Sequence, residues 1–131
     1  MATREQIATL SPEFRWEEFK NPSLIYWPLL QWLHRVRLTC GFALVPTSDA
    51  RTHVPPGGST TSLHLIGRAV DFRWREHTPE QRARFVEAVI MTPRPAGEGG
   101  YELGLEPGSA GGPHWHVGLF PAGTTSRLFV R

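Results

Sequence analysis

The sequence has little cysteine, little lysine and no long hydrophobic run. Its one cysteine, Cys40, can form neither an internal disulfide nor a cysteine-based zinc site, and we interpret it as a small buried residue. Its one lysine is Lys20, so the basic residues are almost all arginine. Because these arginines form no dense run, the sequence does not favour nucleic-acid binding. The apolar stretches are too short to cross a bilayer, so we expect no membrane insertion.

The first ten residues also lack the basic and then apolar pattern of a secretory signal peptide. We therefore expect synthesis in the cytoplasm without a visible export signal. The 131 residues, 40% hydrophobic and 20% charged, are typical of one globular domain over 1–131, and a monomer is the simplest expectation. A net charge of +2 and a pI of about 9.2 are compatible with an anionic polymer such as a bacterial cell wall.

Hydrophobic periodicity and turn residues predict an α+β fold, a small antiparallel sheet with helices packed on one side. We predict a helical turn over 11–19 and a helix over 24–38 that begins or kinks at Pro28 and stops at Gly41. Thr78 and Pro79 open a second helix that runs to about Met91. The predicted strands are 42–45, 68–74, 101–105, 115–120 and 128–130, and the predicted loops are 46–63, 92–100 and 107–113.

Two histidines and one carboxylate are the protein ligands that a catalytic zinc ion uses when its fourth position stays open for water. The sequence offers His64 and Asp71, and then His114-Trp115-His116. Successive side chains of a strand point to opposite faces. Both histidines of the second group would therefore face one cleft while Trp115 joins the core. If the strand of Asp71 lies beside the strand of His116, their side chains can meet.

A bend at Gly67 would fold His64 back over Asp71, because glycine tolerates backbone angles that other residues avoid. A purely structural interpretation stays open beside the metal site. A carboxylate inside an apolar strand needs a cation or hydrogen-bond donors nearby, and Arg68 or Arg73 could supply them. We interpret the remaining histidines as surface or core residues; they are His34, His53 and His77.

Five segments together resemble the zinc D-alanyl-D-alanine carboxypeptidases and L-alanyl-D-glutamate endopeptidases, which belong to the lysostaphin/D-Ala-D-Ala peptidase/hedgehog group. Residues 62–71 match Ser-x-His-x-x-Gly-x-Ala-x-Asp, the most diagnostic part. The others are Ser-Pro-Glu-Phe at 11–14 with Glu18 and Phe19, the helix at 30–37, the Ser-x-x-Arg segment in 47–51, and the His-x-His pair at 114–116. Because the parts occur in order over most of the chain, the match is stronger than any single motif.

The resemblance implies a hedgehog/peptidase-like fold and a Zn²⁺-dependent peptidase that cleaves peptidoglycan stem peptides at a bond involving a D-amino acid. It implies that His64, Asp71 and His116 are the zinc ligands and that His114 assists in the cleft. Arg51 would hold a substrate carboxylate or the developing oxyanion. The substrate site would also include Ser62, which supports it through hydrogen bonding.

The sequence departs from the family at one catalytic position. Many members place a glutamate or aspartate three residues before the last ligand as the general base, and here that residue is Pro113. We favour His114 as the base because it is nearest in sequence to the ligand, with Glu106 and Glu102 as further candidates. Asp49, where the family often has glycine, is a smaller departure.

Two other functions stay open at this point. The chain could be a non-catalytic zinc-binding module of the same fold that binds the cell wall or serves as a phage structural component. It could also be an unrelated arginine-rich binding protein with incidental histidines. The sequence specifies neither the bond cleaved nor a phage or bacterial origin, although the missing signal peptide favours a phage-associated enzyme that reaches the wall after release.

Overall fold

The computed structural model describes residues 1–54, 56, 59–107 and 112–130. The described residues form three α-helices: α1 (Arg4–Ala8), α2 (Trp27–Cys40) and α3 (Pro79–Met91). They also form five strands: β1 (Pro46–Ser48), β2 (Ala69–Arg73), β3 (Tyr101–Glu106), β4 (His114–Leu119) and β5 (Arg127–Val130). Short 3₁₀ helices occupy Trp16–Glu18, Pro22–Leu24 and Leu63–Ile66. No helix in the described ranges has the length and apolarity needed to span a bilayer.

The strands form one sheet in the order β1-β2-β4-β3-β5. The expected α+β class is confirmed, but the sheet is mixed and not antiparallel throughout, because β5 pairs with β3 in parallel. The reason is the connection from β4 to β5, which crosses the start of β3: the N–H of Gly100 donates to the carbonyl of Thr124 over 2.7 Å. A β-carbon at Gly100 would come within 2.1 Å of the Ser126 nitrogen, so this close crossing requires glycine.

The two long helices follow from local signals in the sequence. Helix α2 has Pro28 in its first turn and ends at Gly41, which adopts a left-handed conformation (φ 81°). Helix α3 begins after a capping box formed by Thr78 and Gln81. Helix α1, which also carries a capping box, was not predicted, because its five residues are too few for a periodic pattern to emerge.

The strand predicted over 42–45 is wrong, and β1 begins at Pro46. Two of its apolar residues pack: Leu44 is fully buried, and the Phe42 ring meets the His77 ring edge-on at 4.6 Å. Val45 is exposed, and its carbonyl accepts the Arg73 N–H at 3.0 Å. The predicted loops 46–63 and 107–113 lie partly outside the described residues, at 55, 57–58 and 108–111. The final strand is confirmed, with a start at Arg127.

The helices pack on one face of the sheet, and this face holds the main hydrophobic core. Strand pairing places Val70 opposite Val117 and Phe72 opposite Trp115, and all four are buried. The ring of Phe85, from α3, lies 4.9 Å from the Trp115 ring. Trp115 therefore belongs to the core, as predicted from the alternation of His114-Trp115-His116, and both histidines face the other side of the sheet.

Candidate metal centre

The face of the sheet opposite the helices carries a concentrated set of polar side chains. Asp71 pairs directly with His116 across β2 and β4, so their side chains lie next to each other on this face. On the other side of β4, His116 pairs with Gly104 and His114 pairs with Glu106. Both Asp71 and His116 are almost fully buried. An ionisable pair this deep requires opposite charges or hydrogen-bond donors around it.

His64 reaches the same point from the 3₁₀ helix Leu63–Ile66. Ser62 caps that helix, because its hydroxyl accepts a hydrogen bond from the His64 N–H at 3.2 Å. Gly67 ends it in a left-handed conformation (φ 71°) and turns the chain into β2, as the sequence predicted. Gly118 lets the helix lie on the sheet, since a β-carbon there would come within 2.8 Å of Leu63 Cδ1.

Three side-chain atoms meet in a nearly equilateral triangle. The distance from His64 Nε2 to Asp71 Oδ1 is 3.0 Å, and His116 Nδ1 lies 3.2 Å from each of these two atoms. The His64, Asp71 and His116 group is buried and could hold a metal ion. The structure thus brings together the three residues that the sequence proposed as ligands.

The outer nitrogen of each imidazole is held by an acceptor. His64 Nδ1 donates to the backbone carbonyl of Asp49 at 2.7 Å, and His116 Nε2 donates to Glu102 Oε1 at 2.5 Å. When neutral, rings fixed in this way direct a lone pair of His64 Nε2 and of His116 Nδ1 into the triangle. Second partners of this kind commonly orient histidines that bind metals.

The three atoms would repel one another unless positive charge lay between them. Burial alone would lower the pKa of His116, but hydrogen bonds to Asp71 and Glu102 outweigh it and raise that pKa to about 9. Burial alone would raise the pKa of Asp71, but hydrogen bonds from His116 and His64 hold it well below its usual value. A proton satisfies this demand in a metal-free protein, and a divalent cation satisfies it through all three atoms at once.

His114 and Arg51 lie at the rim of this group. His114 Nε2 is 3.4 Å from Asp71 Oδ2 and 3.4 Å from Glu106 Oε2. The hydrogen bond with Glu106 raises the pKa of His114, against the opposing effect of burial. Arg51 Nη2 lies 3.6 Å from Asp71 Oδ2 and donates to the Ser48 hydroxyl at 3.4 Å. Both rim side chains remain partly exposed, so they can meet a ligand that the buried triangle cannot reach alone.

Glu102 and Glu106, both candidates for the general base, occupy different environments. Both oxygens of Glu102 are engaged: Oε1 by His116, and Oε2 by Arg127 Nη1 at 3.3 Å. Its side chain is only 10% exposed, against 24% for Glu106. Glu102 therefore contacts the outer side of His116, whereas Glu106 contacts His114 at the rim.

The purely structural interpretation named Arg68 and Arg73 as partners of Asp71, but both have other partners. Arg68 instead forms a 2.6 Å ion pair with Glu98 and stacks over the Tyr26 ring at 4.1 Å. Arg73 lies within 3.6 Å of Glu76 on the surface. Among the described residues, the arginine that approaches Asp71 is Arg51, three residues after the end of β1.

Sequence reasoning missed two supports of the site. Asp49 not only accepts from His64 through its carbonyl; its carboxylate also accepts the backbone N–H groups of Lys20 and Asn21 at 2.7 and 2.8 Å. Arg127 holds Glu102 from β5. Asp49, at a position where the family that the motifs resemble often has glycine, was a signal for the first. No local signal pointed to the second, because Arg127 reaches the site only through the parallel pairing of β5.

Two clefts open beside the triangle. One, of ≈ 720 Å³, is bordered by Asp71, His114 and Arg51. The other, of ≈ 470 Å³, is bordered by His64, His116 and Arg51. Arg51 borders both, so it stands between them. Small-molecule and peptide sites commonly have such concave surroundings with a few convergent polar groups.

The chain matches no protein-family model, no curated protein and no solved structure. The family resemblance therefore stays a prediction from the motif residues.

Proposed function

We propose that the protein is a zinc-dependent peptidase that cleaves peptidoglycan stem peptides at a bond involving a D-amino acid. The observation that carries the proposal is the triangle of His64 Nε2, Asp71 Oδ1 and His116 Nδ1, whose edges are 3.0–3.2 Å. Zinc bonds to nitrogen and oxygen of about 2.0–2.1 Å set tetrahedral ligand atoms about 3.3 Å apart. Two histidines and one carboxylate also leave the fourth position open, as catalytic zinc sites require.

A zinc ion held by these residues would lower the pKa of a water molecule toward neutrality and polarise the scissile carbonyl. His114, partly exposed and 3.4 Å from Glu106, would take a proton from the attacking water and return it to the leaving amine. We assign this role to the His114–Glu106 pair because both oxygens of Glu102 already have partners. The pair would substitute for the glutamate or aspartate general base of the resembled family, because Pro113 occupies that position here.

Arg51 would supply the positive charge that stabilises a developing oxyanion. Its guanidinium lies between the two clefts and within 3.6 Å of Asp71, so it can donate to an oxyanion that develops at the rim. Preorganised donors of this kind often provide the largest share of catalysis. Ser62 contributes indirectly, through the cap that orients the backbone of His64.

The test combines metal analysis with mass spectrometry of digested peptidoglycan. We expect one zinc ion per chain, soluble peptides released by the wild-type protein, and loss of both in His64→Ala and Asp71→Ala. His53→Ala, a change to an exposed histidine, is the matched control and should alter neither. Cleavage that persists in a variant without zinc would refute the proposal. Bound zinc without cleavage of any wall peptide would support the non-catalytic module of the same fold.

A further inference from the structure

The larger of the two clefts is rich in cationic side chains. Four of them border it, Lys20, Arg51, Arg73 and Arg75, against two carboxylates, Asp71 and Glu76. Asp71 contacts His64 and His116 through Oδ1 and lies within 3.6 Å of Arg51 through Oδ2. Glu76 lies within 3.6 Å of Arg73, so these two carboxylates leave Lys20 and Arg75 without an ion-pair partner among the described residues of the cleft. The cleft therefore has more positive charge than its own acidic residues neutralise.

The cations are placed there by the fold. Arg73 is two residues beyond Asp71 in β2 and so lies on the same face of the sheet, opposite His114. The Arg75 guanidinium packs against Gly112, where a β-carbon would come within 2.5 Å of Nη2. The backbone of Lys20 is held by its N–H, which donates to the Asp49 carboxylate, and its side chain borders the cleft. Among the described residues, neither Lys20 nor Arg75 has a carboxylate within ion-pair distance.

The smaller cleft has a different character. Apart from its two histidines, its charged border consists of two carboxylates, Glu102 and Glu106, and two arginines, Arg51 and Arg127. Glu102 lies within 3.3 Å of Arg127. The two sides of the triangle are therefore electrostatically unequal. An extended ligand that crosses the triangle would place its more anionic end in the larger cleft.

We propose that the larger cleft is a subsite for a substrate carboxylate, with Arg75 and Arg73 as its specificity-determining residues. The inference rests on the proposed function, and it narrows the substrate to an anionic peptide that runs through both clefts and is cut at an internal bond. The guanidinium groups suit this ligand because their planar donors match the geometry of a carboxylate.

The test uses two synthetic stem peptides that differ only in whether the glutamate α-carboxylate is free or amidated. The wild-type protein should have a lower KM for the free-carboxylate peptide than for the amidated peptide. Arg75→Gln combined with Arg73→Gln should raise KM for that peptide about tenfold, the effect of losing roughly one charge-assisted hydrogen bond, and change it little for the amidated peptide. Arg84→Gln, on the exposed side of α3, is the matched control.

An equal rise in KM for both peptides, or the same change in Arg84→Gln, would overturn the subsite. Binding measured by calorimetry with zinc-loaded protein separates this proposal from the proposed function. If neither peptide is cleaved but the free carboxylate binds more tightly and the double variant loses that preference, the subsite stands and the peptidase assignment fails. If the protein binds both peptides equally or binds neither, the subsite is refuted.

Discussion

Glu102 holds the outer side of the His116 ring: its Oε1 lies 2.5 Å from Nε2 of the imidazole. Because a carboxylate accepts the Nε2 proton, His116 can offer only Nδ1 to Asp71 and His64. Arg127 fixes the other oxygen of Glu102, so this orientation is tied to the pairing of β5 with β3. Glu102, which belongs to none of the motif segments, thus determines that His116 presents Nδ1 to the site.

Removal of the Glu102 carboxylate should weaken metal binding. We expect Glu102→Ala to lower zinc affinity about 10- to 100-fold, the usual effect of losing such a partner, and Glu102→Gln to lower it less because its amide oxygen still accepts. Competition with a chromogenic chelator measures both. Glu106→Gln serves as the comparison and should leave the affinity unchanged. If Glu102→Ala binds zinc as tightly as the wild type, the ring is oriented by other contacts.

Loss of His114 should separate catalysis from metal binding. In the proposed mechanism this imidazole transfers the proton, so His114→Gln should retain zinc and lower peptide hydrolysis about 10²- to 10⁴-fold, the typical contribution of a general base. Steady-state kinetics together with metal analysis of the same sample checks this. His34→Gln, which alters a histidine paired with Glu13 away from the site, should show wild-type rates. A His114→Gln protein with full activity would exclude the assigned role.

Replacement of Gly67 should lower the free energy of unfolding by more than the strain of its left-handed backbone conformation alone. Gly67→Ala would place a β-carbon 2.1 Å from the Leu24 carbonyl oxygen, whereas Gly97, also at positive φ, has open space around the same position. We expect Gly97→Ala to cost about 1–2 kcal/mol for the left-handed conformation. Gly67→Ala should cost about 1–3 kcal/mol more because of the clash. Urea denaturation measures both, and equal costs would contradict the packing argument.

The ion pair between Arg68 and Glu98 should make stability depend on pH. Burial alone would raise the pKa of Glu98, but hydrogen bonds from Tyr26 and Arg68 outweigh it and lower the pKa. A carboxyl with a lowered folded pKa stabilises above its unfolded value, and the contribution disappears as pH falls through the folded one. Glu98→Gln should therefore lower the free energy of unfolding by about 1–3 kcal/mol at pH 7. This difference from the wild type should become progressively smaller below about pH 4.

Denaturation of the wild-type protein and of Glu98→Gln at a series of pH values checks this expectation. Glu87→Gln, at an exposed position of α3, controls for a simple change of net charge. A difference between wild type and Glu98→Gln that stays constant from pH 7 to pH 3 would show that the carboxylate charge contributes nothing.

Those features that depend on neighbouring residues were predictable from the sequence. The N-terminal cap of α3, the stop of α2 at Gly41 and the turn at Gly67 arise from residues within one or two turns of chain. The assignment of Trp115 to the core followed from strand alternation alone. The same alternation put His114 and His116 on one face, so residue order already contained part of the site.

By itself, the sequence determined which residue types can bind a metal ion and on which side of their strands they project. Tertiary structure decided that β2 lies beside β4, which brings Asp71 against His116. It also decided that β5 runs parallel to β3 and carries Arg127 to Glu102. The physical reason is that capping and alternation are local, whereas strand order depends on how the whole core packs and on where the connecting segments cross.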